Sequence, residues 1–195
     1  MNDKVVVIGA GGHAKVVADI IRKNGDIVLG FLDDHKGKNQ KSFFGAEILG
    51  TISEYENYIS DALFIIAIGN NSFRKHLSGS MNCKWYTAIH PSAIIGDGAV
   101  IGEGSFVSAG AVINADAVVG NHVIVNTRAV IEHDCVVGNY AHLSPGSIMC
   151  GGSSVGELTL IGAGSILTNG VKIDEEMRME AGITITTSIE KPSHI

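Results

Sequence analysis

The stretch IIGDGAVIGEGSFVSAGAVI, residues 94–113, repeats one pattern every six residues. An aliphatic residue opens each repeat, glycine and polar residues follow it, and a small residue comes four positions later. A fixed period of six is typical of a parallel β-helix, in which each repeat forms one face and stacked coils bury a continuous core. This stretch therefore predicts a three-sided coil of about 18 residues per turn.

The same period continues in both directions from that stretch. Counting in sixes gives only aliphatic residues, namely Ile89, Ile95, Ile101, Val107, Ile113, Val119, Val125, Ile131, Val137, Leu143, Met149, Val155, Ile161, Leu167, Ile173, Met179 and Ile185. A run this long at one spacing is not a product of composition. It predicts roughly five coils without an inserted loop, beginning near residue 88.

Residues 1–87 follow a different pattern. The segments KVVVI (4–8), IVLGFL (27–32) and ALFIIAIG (62–69) are short apolar runs, and helical apolar spacing follows the first and the third. Strands that alternate with helices predict a Rossmann-like α/β domain with a parallel sheet. The sequence thus predicts two domains, a nucleotide-binding α/β domain at 1–87 and a parallel β-helix at 88–195.

Composition excludes several classes of protein. The chain of 195 residues has 20 carboxylates against 14 lysines and arginines, and its basic residues are scattered. Such a balance argues against a nucleic-acid partner. No apolar run approaches the roughly 18 residues of a spanning helix, and the start MNDKVVVIGAGG lacks the features of a signal peptide. Three cysteines at spacings that fit no metal site favour a reducing, cytoplasmic setting.

The predicted strand ends of the first domain suggest a ligand site. Ligands of parallel α/β sheets lie outside the carboxyl ends of the strands. The residues at or just after those ends are Gly11, Gly12, His13, Asp33, Asp34 and Gly69. Amide groups at the start of the first helix would face a diphosphate, and the two aspartates would accept hydrogen bonds from a ribose or a base.

A dinucleotide is the alternative ligand of this domain. Gly9, Gly11 and Ala14 satisfy the dinucleotide fingerprint, and Asp33 follows at a suitable distance. Taken at face value, this pattern indicates NAD. The domain supplies only one mononucleotide-binding half, however, so a nucleotide with a single ribose fits better.

In the second domain, three polar residues interrupt the repeat together. The segment VIEHDCVVGNY, residues 130–140, places His133 between Glu132 and Asp134 at an edge of the coil. Residues 18 apart stack upon one another, so Ala115 and Gly151 are the neighbours of His133, and both are small. An accessible imidazole with an ordinary pKa of about 6.5 suits a general base. The alternative is a solvated surface turn without a function.

Histidines also raise the possibility of zinc, because some β-helix carbonic anhydrases bind metal through three of them. The spacings between His122, His133 and His142 are eleven and nine, which do not match that family. No metal is expected. By its position alone, His142 fits a packed edge residue as well as a ligand contact.

These segments together resemble bacterial sugar acyltransferases that join a small Rossmann-like domain to a left-handed β-helix. The resemblance is nearest to the UDP-4-amino-sugar N-acetyltransferases of the bacillosamine type, and sialic acid O-acetyltransferases are more distant. The left hand of the coil is taken from this resemblance. The segments that carry it are GAGGH (9–13), FLDDHKG (31–37), FIIAIGNN (64–71), AIHPSA (88–93), NTRAVIEHDCVVGNYAH (126–142) and IGAGS (161–165).

The resemblance implies direct acetyl transfer from acetyl-CoA to a nucleotide-linked sugar. His133 is similar to the family's general base, and Asp134 to the carboxylate that raises its basicity. The positions that match coenzyme contacts are His142, Gly151, Ala163 and Ala181. On the sugar side the match covers Gly11, Gly12, His13, Asp33, Asp34 and Gly69. The family further implies a homotrimer, in which different subunits contribute to one site.

Four functions remain open at this stage. The first is N-acetylation of a nucleotide-linked 4-amino-4,6-dideoxy sugar, and the second is O-acetylation by the same chemistry. The third is a non-catalytic protein that binds nucleotide sugars, and the fourth is an NAD-linked reductase or sensor.

The chain ends in SIEKPSHI where the family usually has a GVPAK-like segment, and GGSSVGEL (151–158) differs from the usual polar pattern.

Overall fold

The computed structural model describes residues 2–35 and 41–191. The last two residues of the FLDDHKG segment and the last four of the chain lie outside these ranges. The chain divides into two compact units, Met1–Pro91 and Ser92–Ile195. The sequence-based boundary between residues 87 and 88 falls just inside the first of them.

The first unit is a five-stranded sheet with helices, and most of its neighbouring strands are parallel. Its sheet order is β3-β4-β2-β1-β5, and only the β3–β4 pair is antiparallel. The predicted Rossmann-like fold is confirmed, although the sequence pattern did not predict β3, β4 or the 3-10 helix. The elements are β1 (Lys4–Ile8), α1 (Gly12–Lys23), β2 (Ile27–Leu32), β3 (Ser42–Phe43), β4 (Ala46–Gly50), a 3-10 helix (Ile52–Tyr58), β5 (Leu63–Ile66), α2 (Asn71–Ser80) and β6 (Ala88–Ile89).

Helix α1 forms because its apolar residues recur on one face. It buries Ala14, Val17, Ala18, Ile20 and Ile21, whose spacing follows the helical period. Basic side chains lie in its last turn, where they interact favourably with the negative end of the helix dipole. The helix therefore covers the sheet and leaves its first turn at the carboxyl end of β1.

The second unit is a stack of two-residue strands on three faces. Its strands are β7 (Ile94–Ile95), β8 (Val100–Ile101), β9 (Phe106–Val107), β10 (Val112–Ile113), β11 (Val118–Val119), β12 (Ile124–Val125), β13 (Val130–Ile131), β14 (Val136–Val137), β15 (His142–Leu143), β16 (Ile148–Met149), β17 (Ser154–Val155), β18 (Leu160–Ile161), β19 (Ile166–Leu167), β20 (Lys172–Ile173), β21 (Arg178–Met179) and β22 (Thr184–Ile185).

Each face contains every third strand, paired in parallel. Within this unit the faces are β7-β10-β13-β16-β19-β22, β8-β11-β14-β17-β20 and β9-β12-β15-β18-β21. The pairing joins residues 18 apart, such as Val112 with Val130. The predicted three-sided coil is therefore confirmed. The stack continues to the last strands of the unit, because β21 and β22 keep the same register.

The interior of the prism explains why aliphatic and small residues recur at fixed positions of the repeat. The second residue of each strand points inward, and Ile113, Ile131 and Leu143 are fully buried. The small residue four positions later fills an inner corner. Where it carries a hydroxyl, as in Ser165, the oxygen donates to a backbone carbonyl, here that of Glu180 at 2.7 Å. Buried hydroxyls are tolerated because they are bonded.

The outer edges of the prism stack through backbone hydrogen bonds. One residue at each corner has a left-handed backbone, with φ of 60° at Asp134 and 68° at Gly152. Its amide donates to the carbonyl of the coil before it, as Gly152 N does to His133 O at 3.0 Å. The residue just before this corner therefore lies on an outer edge, and His133 occupies such a position.

Among the described residues, no helix is long and apolar enough to cross a membrane.

Candidate active site

A pocket of about 470 Å³ lies at the carboxyl ends of β1, β2 and β5 in the first unit. All six residues predicted for the sugar side line it. The complete lining is Gly9, Ala10, Gly11, Gly12, His13, Asp33, Asp34, His35, Ile52, Ala67, Ile68, Gly69 and Phe73. Strand ends alone thus located the pocket. Ile52 comes from the 3-10 helix, which the sequence did not indicate, whereas Phe73 comes from α2, the helix predicted after the third strand.

Three glycines leave the pocket wall open. A Cβ atom added at Gly11, Gly12 or Gly69 would meet no protein atom within 4 Å. Helix α1 starts at Gly12, and its N-cap residue Gly11 supplies no side-chain cap. Gly9 differs, because its φ is 97° and an added Cβ would lie 2.9 Å from Ile68 Cγ1. The fold requires Gly9, whereas the other three allow a ligand to approach the backbone.

The two aspartates of the pocket hold its loops together. Asp33 Oδ2 accepts from Ala10 N at 2.7 Å, and its Oδ1 accepts from His35 N at 3.0 Å. Asp34 Oδ1 accepts from Ile52 N at 2.9 Å. Each carboxylate therefore ties the end of β2 to another wall of the pocket. Contact with a ribose or a base remains a prediction for both.

Arg74 supports the third wall, and the sequence did not reveal it. Its side chain is buried, with 1% of the residue exposed. Nη1 donates to Ile68 O at 3.0 Å, and Nη2 donates to Asn71 Oδ1 at 2.9 Å. Asn70 Oδ1 accepts from Phe73 N at 2.8 Å and caps α2. The arginine thus reaches back from the helix to fix the loop that contains Gly69.

The predicted base of the second unit lies exposed on an edge of the prism. His133 follows β13, and 62% of its side chain is accessible. Its Nδ1 is 2.7 Å from Asp134 Oδ2. Because an ionised carboxylate only accepts, Nδ1 carries the proton and the lone pair of neutral imidazole is on Nε2. The hydrogen bond to Asp134 is the main cause that raises the pKa of His133, and the negative charges of Asp134 and Glu132 act in the same direction.

Glu132 is held by a residue one coil earlier. Its Oε2 accepts from Asn114 Nδ2 at 2.8 Å. Sequence reasoning missed Asn114, although its distance of 18 residues from Glu132 is the stacking period. The pair keeps a second carboxylate beside the histidine.

Gly151 lies one coil after His133 on the same edge. Within the described part of the chain, its amide N–H donates to no protein acceptor. The next amide, that of Gly152, is bonded to His133 O. An available N–H beside an imidazole is suited to stabilising an oxyanion.

The remaining predicted coenzyme residues belong to a different edge. Asn126 Oδ1 accepts from Thr127 N at 2.8 Å, which leaves Asn126 Nδ2 to donate to His142 Nε2 at 3.2 Å. His142 is therefore an acceptor at Nε2, and Asn126 is a further polar group that sequence reasoning missed. Ala163 and Ala181 lie exposed at the same edge, after β18 and β21.

The structure thus separates the predicted site residues into three groups. The pocket residues lie in the first unit, and His133, Asp134 and Gly151 share one edge of the prism. His142, Ala163 and Ala181 lie at another edge or beside it, because β13 and β18 belong to different faces. Over the described ranges, no cluster of three histidine, cysteine or acidic residues could hold a metal ion.

The bond between His133 and Asp134 predicts a pH effect. A base with a raised pKa is protonated, and hence inactive, over more of the acidic range. Asp134→Asn keeps an acceptor for Nδ1 but removes the charge, so the pKa of His133 should fall toward its ordinary value. We expect the acidic limb of the pH profile of kcat to move to lower pH, with a lower plateau because the base is weaker. Asp116→Asn, at the same corner position on this edge one coil earlier, is the control and should leave the profile unchanged.

The fold and the site define a two-domain hexapeptide-repeat protein, with a nucleotide-sized pocket in one domain and a histidine–carboxylate pair on the β-helix of the other. A family model described as the PglD N-terminal domain matches residues 4–81. A solved acetyltransferase domain is similar over 97% of the chain at 35% identity, which shows that the chain belongs to the bacterial sugar acyltransferases that carry a left-handed parallel β-helix.

Individual relatives support this membership. The acetyltransferase domain of PglB from Neisseria gonorrhoeae is 35% identical with a TM-score of 0.91, and the alignment covers 97% of this chain and 94% of that one. PerB from Caulobacter crescentus, solved with CoA and GDP-perosamine, is 35% identical with a TM-score of 0.88, over 95% and 90% of the two chains. UDP-N-acetylbacillosamine N-acetyltransferase of Bacillus subtilis is 39% identical over 113 residues, which are 54% of this chain and 51% of the relative. The match thus spans about half the length of that curated protein.

Proposed function

We propose that the protein is an acetyl-CoA-dependent N-acetyltransferase that acts on a nucleotide-linked 4-amino-4,6-dideoxy sugar. The observation that carries the proposal is the exposed His133–Asp134 pair, whose bond leaves Nε2 as a base. The names of the relatives agree with it, because they include a bacillosamine-type N-acetyltransferase and a protein solved with CoA and an amino-sugar nucleotide.

The reaction follows from this geometry. The sugar nitrogen attacks the thioester carbonyl and forms the C–N bond, while His133 Nε2 takes a proton from that nitrogen. The tetrahedral intermediate places negative charge on the former carbonyl oxygen, and the amide of Gly151 donates to it. The C–S bond then breaks, and the imidazolium of His133 returns its proton to the departing sulfur, so that the coenzyme leaves as a thiol and the imidazole is neutral again. Asp134 stabilises the imidazolium that forms between these steps.

The pocket of the first unit supports a nucleotide-linked acceptor. The first turn of α1 would bind the diphosphate through its amides, since a helix N-terminus favours an anion. The open space over Gly11, Gly12 and Gly69 allows the phosphates to approach the backbone. A single pocket of this size suits one nucleoside diphosphate better than a complete dinucleotide, so NAD is not proposed.

A homotrimer would bring the His133 edge of one copy next to the Ala163–Ala181 edge of another. Within one chain, His133 and the Ala163–Ala181 edge are apart, so contact between copies is a way to place the base beside the coenzyme. A column of outward-facing valines supports such an assembly, since Val100, Val118 and Val136 are 56%, 42% and 49% exposed. Apolar ladders of this kind commonly mark protein interfaces. Light scattering coupled to size exclusion tests this part of the proposal.

A cytoplasmic location is part of the proposal, because acetyl-CoA and nucleotide sugars are cytoplasmic metabolites. Fractionation of cells with an antibody against the protein checks it.

The decisive experiment combines acetyl-CoA with a panel of UDP- and GDP-linked 4-amino sugars and their 4-hydroxy counterparts, and follows release of the free thiol. Thiol release with amino acceptors alone is the expected result. Release with hydroxyl acceptors alone would support O-acetylation, and no release with any acceptor would support a binding protein. Calorimetry adds NAD to the ligands, since tight NAD binding without binding of coenzyme A would support the reductase.

A further inference from the structure

The imidazole of His133 rests directly against the backbone of Gly151. A Cβ atom added at position 151 would lie 2.6 Å from His133 Nε2 and 2.7 Å from its Cε1. Both distances are far below van der Waals contact. A side chain at 151 and the present position of the imidazole therefore exclude each other.

The backbone does not explain why a glycine occupies this position. Gly151 is absent from the glycines with positive φ, whereas its neighbour Gly152 has a φ of 68° and forms the left-handed corner. Gly151 is at the third position of its repeat, and other repeats hold side chains there without disturbing the coil. The residues at that position elsewhere include Ala109, Ala115, Thr127, Pro145, Glu157 and Ala163.

We infer that Gly151 is a positioning residue, whose missing side chain sets the place of the His133 imidazole. The inference rests on the proposed function in assigning a base to His133. Two contacts then hold the ring, namely the hydrogen bond from Nδ1 to Asp134 and the close approach of the Nε2 side to Gly151. This role differs from that of the Gly151 amide, because alanine retains the amide and adds only a methyl group.

Adding that methyl group should move the base without harming the fold. The His133 side chain is largely exposed, so it can swing into solvent when a methyl group occupies its place. The swing breaks the bond to Asp134 and displaces Nε2 from the acceptor nitrogen. A misplacement of about 1 Å in a catalytic group can cost about 100-fold in rate.

The experiment measures kcat, both KM values and the melting temperature of Gly151→Ala. We expect kcat to fall about 10- to 100-fold, with both KM values and the melting temperature unchanged. The control is Asp97→Ala, which leaves an alanine at the same repeat position and edge, two coils before His133, and should behave as wild type.

A double-mutant cycle separates this role from any effect on the coenzyme. If Gly151 acts through the imidazole, Gly151→Ala should cost nothing further in a His133→Asn background. An equal additional loss in that background would overturn the inference, and so would a Gly151→Ala enzyme with wild-type kcat.

NMR titration of the imidazole tests the geometry without substrate. In the wild type the pKa of His133 should exceed its ordinary value, and in Gly151→Ala it should return toward that value because the bond to Asp134 is lost. The same raised pKa in both proteins would contradict the inference. If the two proteins showed this NMR difference but the wild type transferred no acetyl group, the proposed function would be wrong and the positioning role of Gly151 would stand.

Discussion

Replacing His133 by asparagine is expected to lower kcat by about 100- to 10,000-fold, the range that general-base catalysis commonly contributes. Asparagine has no lone pair basic enough to accept the proton that the attacking nitrogen loses. The KM values should change little, because the imidazole takes its proton as the bond forms. Thiol release under saturating substrates measures the loss.

The fold should be unaffected, since His133 is exposed and the backbone bonds of its edge do not involve the ring. Asn121→Ala provides the control, because Asn121 occupies the same repeat position on the third edge, away from both groups of predicted site residues. Retention of kcat within a few-fold in His133→Asn would remove the histidine from the chemistry.

Asp33→Ala is expected to weaken nucleotide binding by about one to two orders of magnitude. The carboxylate accepts hydrogen bonds from two backbone amides, that of Ala10 in the loop after β1 and that of His35 in the segment after β2. Hydrogen bonds to a charged group contribute about 1.5–3 kcal/mol each. Losing both should release the loop that presents Gly11 and Gly12 to the ligand. Calorimetry with UDP and GDP measures the change in Kd.

Asp33→Asn retains one acceptor oxygen and should have an intermediate Kd. Acetyl-CoA binding should be the same in the wild type, Asp33→Ala and Asp33→Asn, because the residues predicted to contact the coenzyme lie in the other unit. Asp61→Ala, which removes an exposed carboxylate that does not line the pocket, serves as the control. Unchanged nucleotide affinity in Asp33→Ala would show that the carboxylate does not shape the pocket.

The β-helix was predictable from the sequence because the repeat that marks each strand also determines which strands pair. Each strand pairs with the strand 18 residues away, so the period that buries Ile113 and Ile131 also fixes their partners. In the α/β unit, β4 was missed because AEILG is short and its only buried residue is Ile48. Long-range pairing with β2, rather than local preference, makes that segment a strand.

The sequence indicated those residues of the candidate site whose position follows directly from their own strand end or repeat. Strand ends located the pocket, and the interruption of the repeat located His133 and Asp134. Arg74, Asn114 and Asn126 were missed because each acts by reaching another residue. For Asn114 the signal was present, since the spacing to Glu132 is the stacking period. For Arg74 the sequence offered no such signal, because an arginine in a polar helix is usually exposed, and no pattern indicates that this side chain is buried.

The backbone hydrogen bonds along the edges of the prism limit where codons can be inserted into or deleted from the gene. His133 and Gly151 face each other only because one whole turn of the prism lies between them. An insertion or deletion of a single codon between these two positions would shift every later residue out of its column and uncouple the pair. Whole turns added at the far end would leave their separation untouched, and so would an insertion that bulges outward from a corner outside residues 133–151. Gain of new loops is therefore confined to corners, while the backbone between histidine and glycine keeps a constant number of residues.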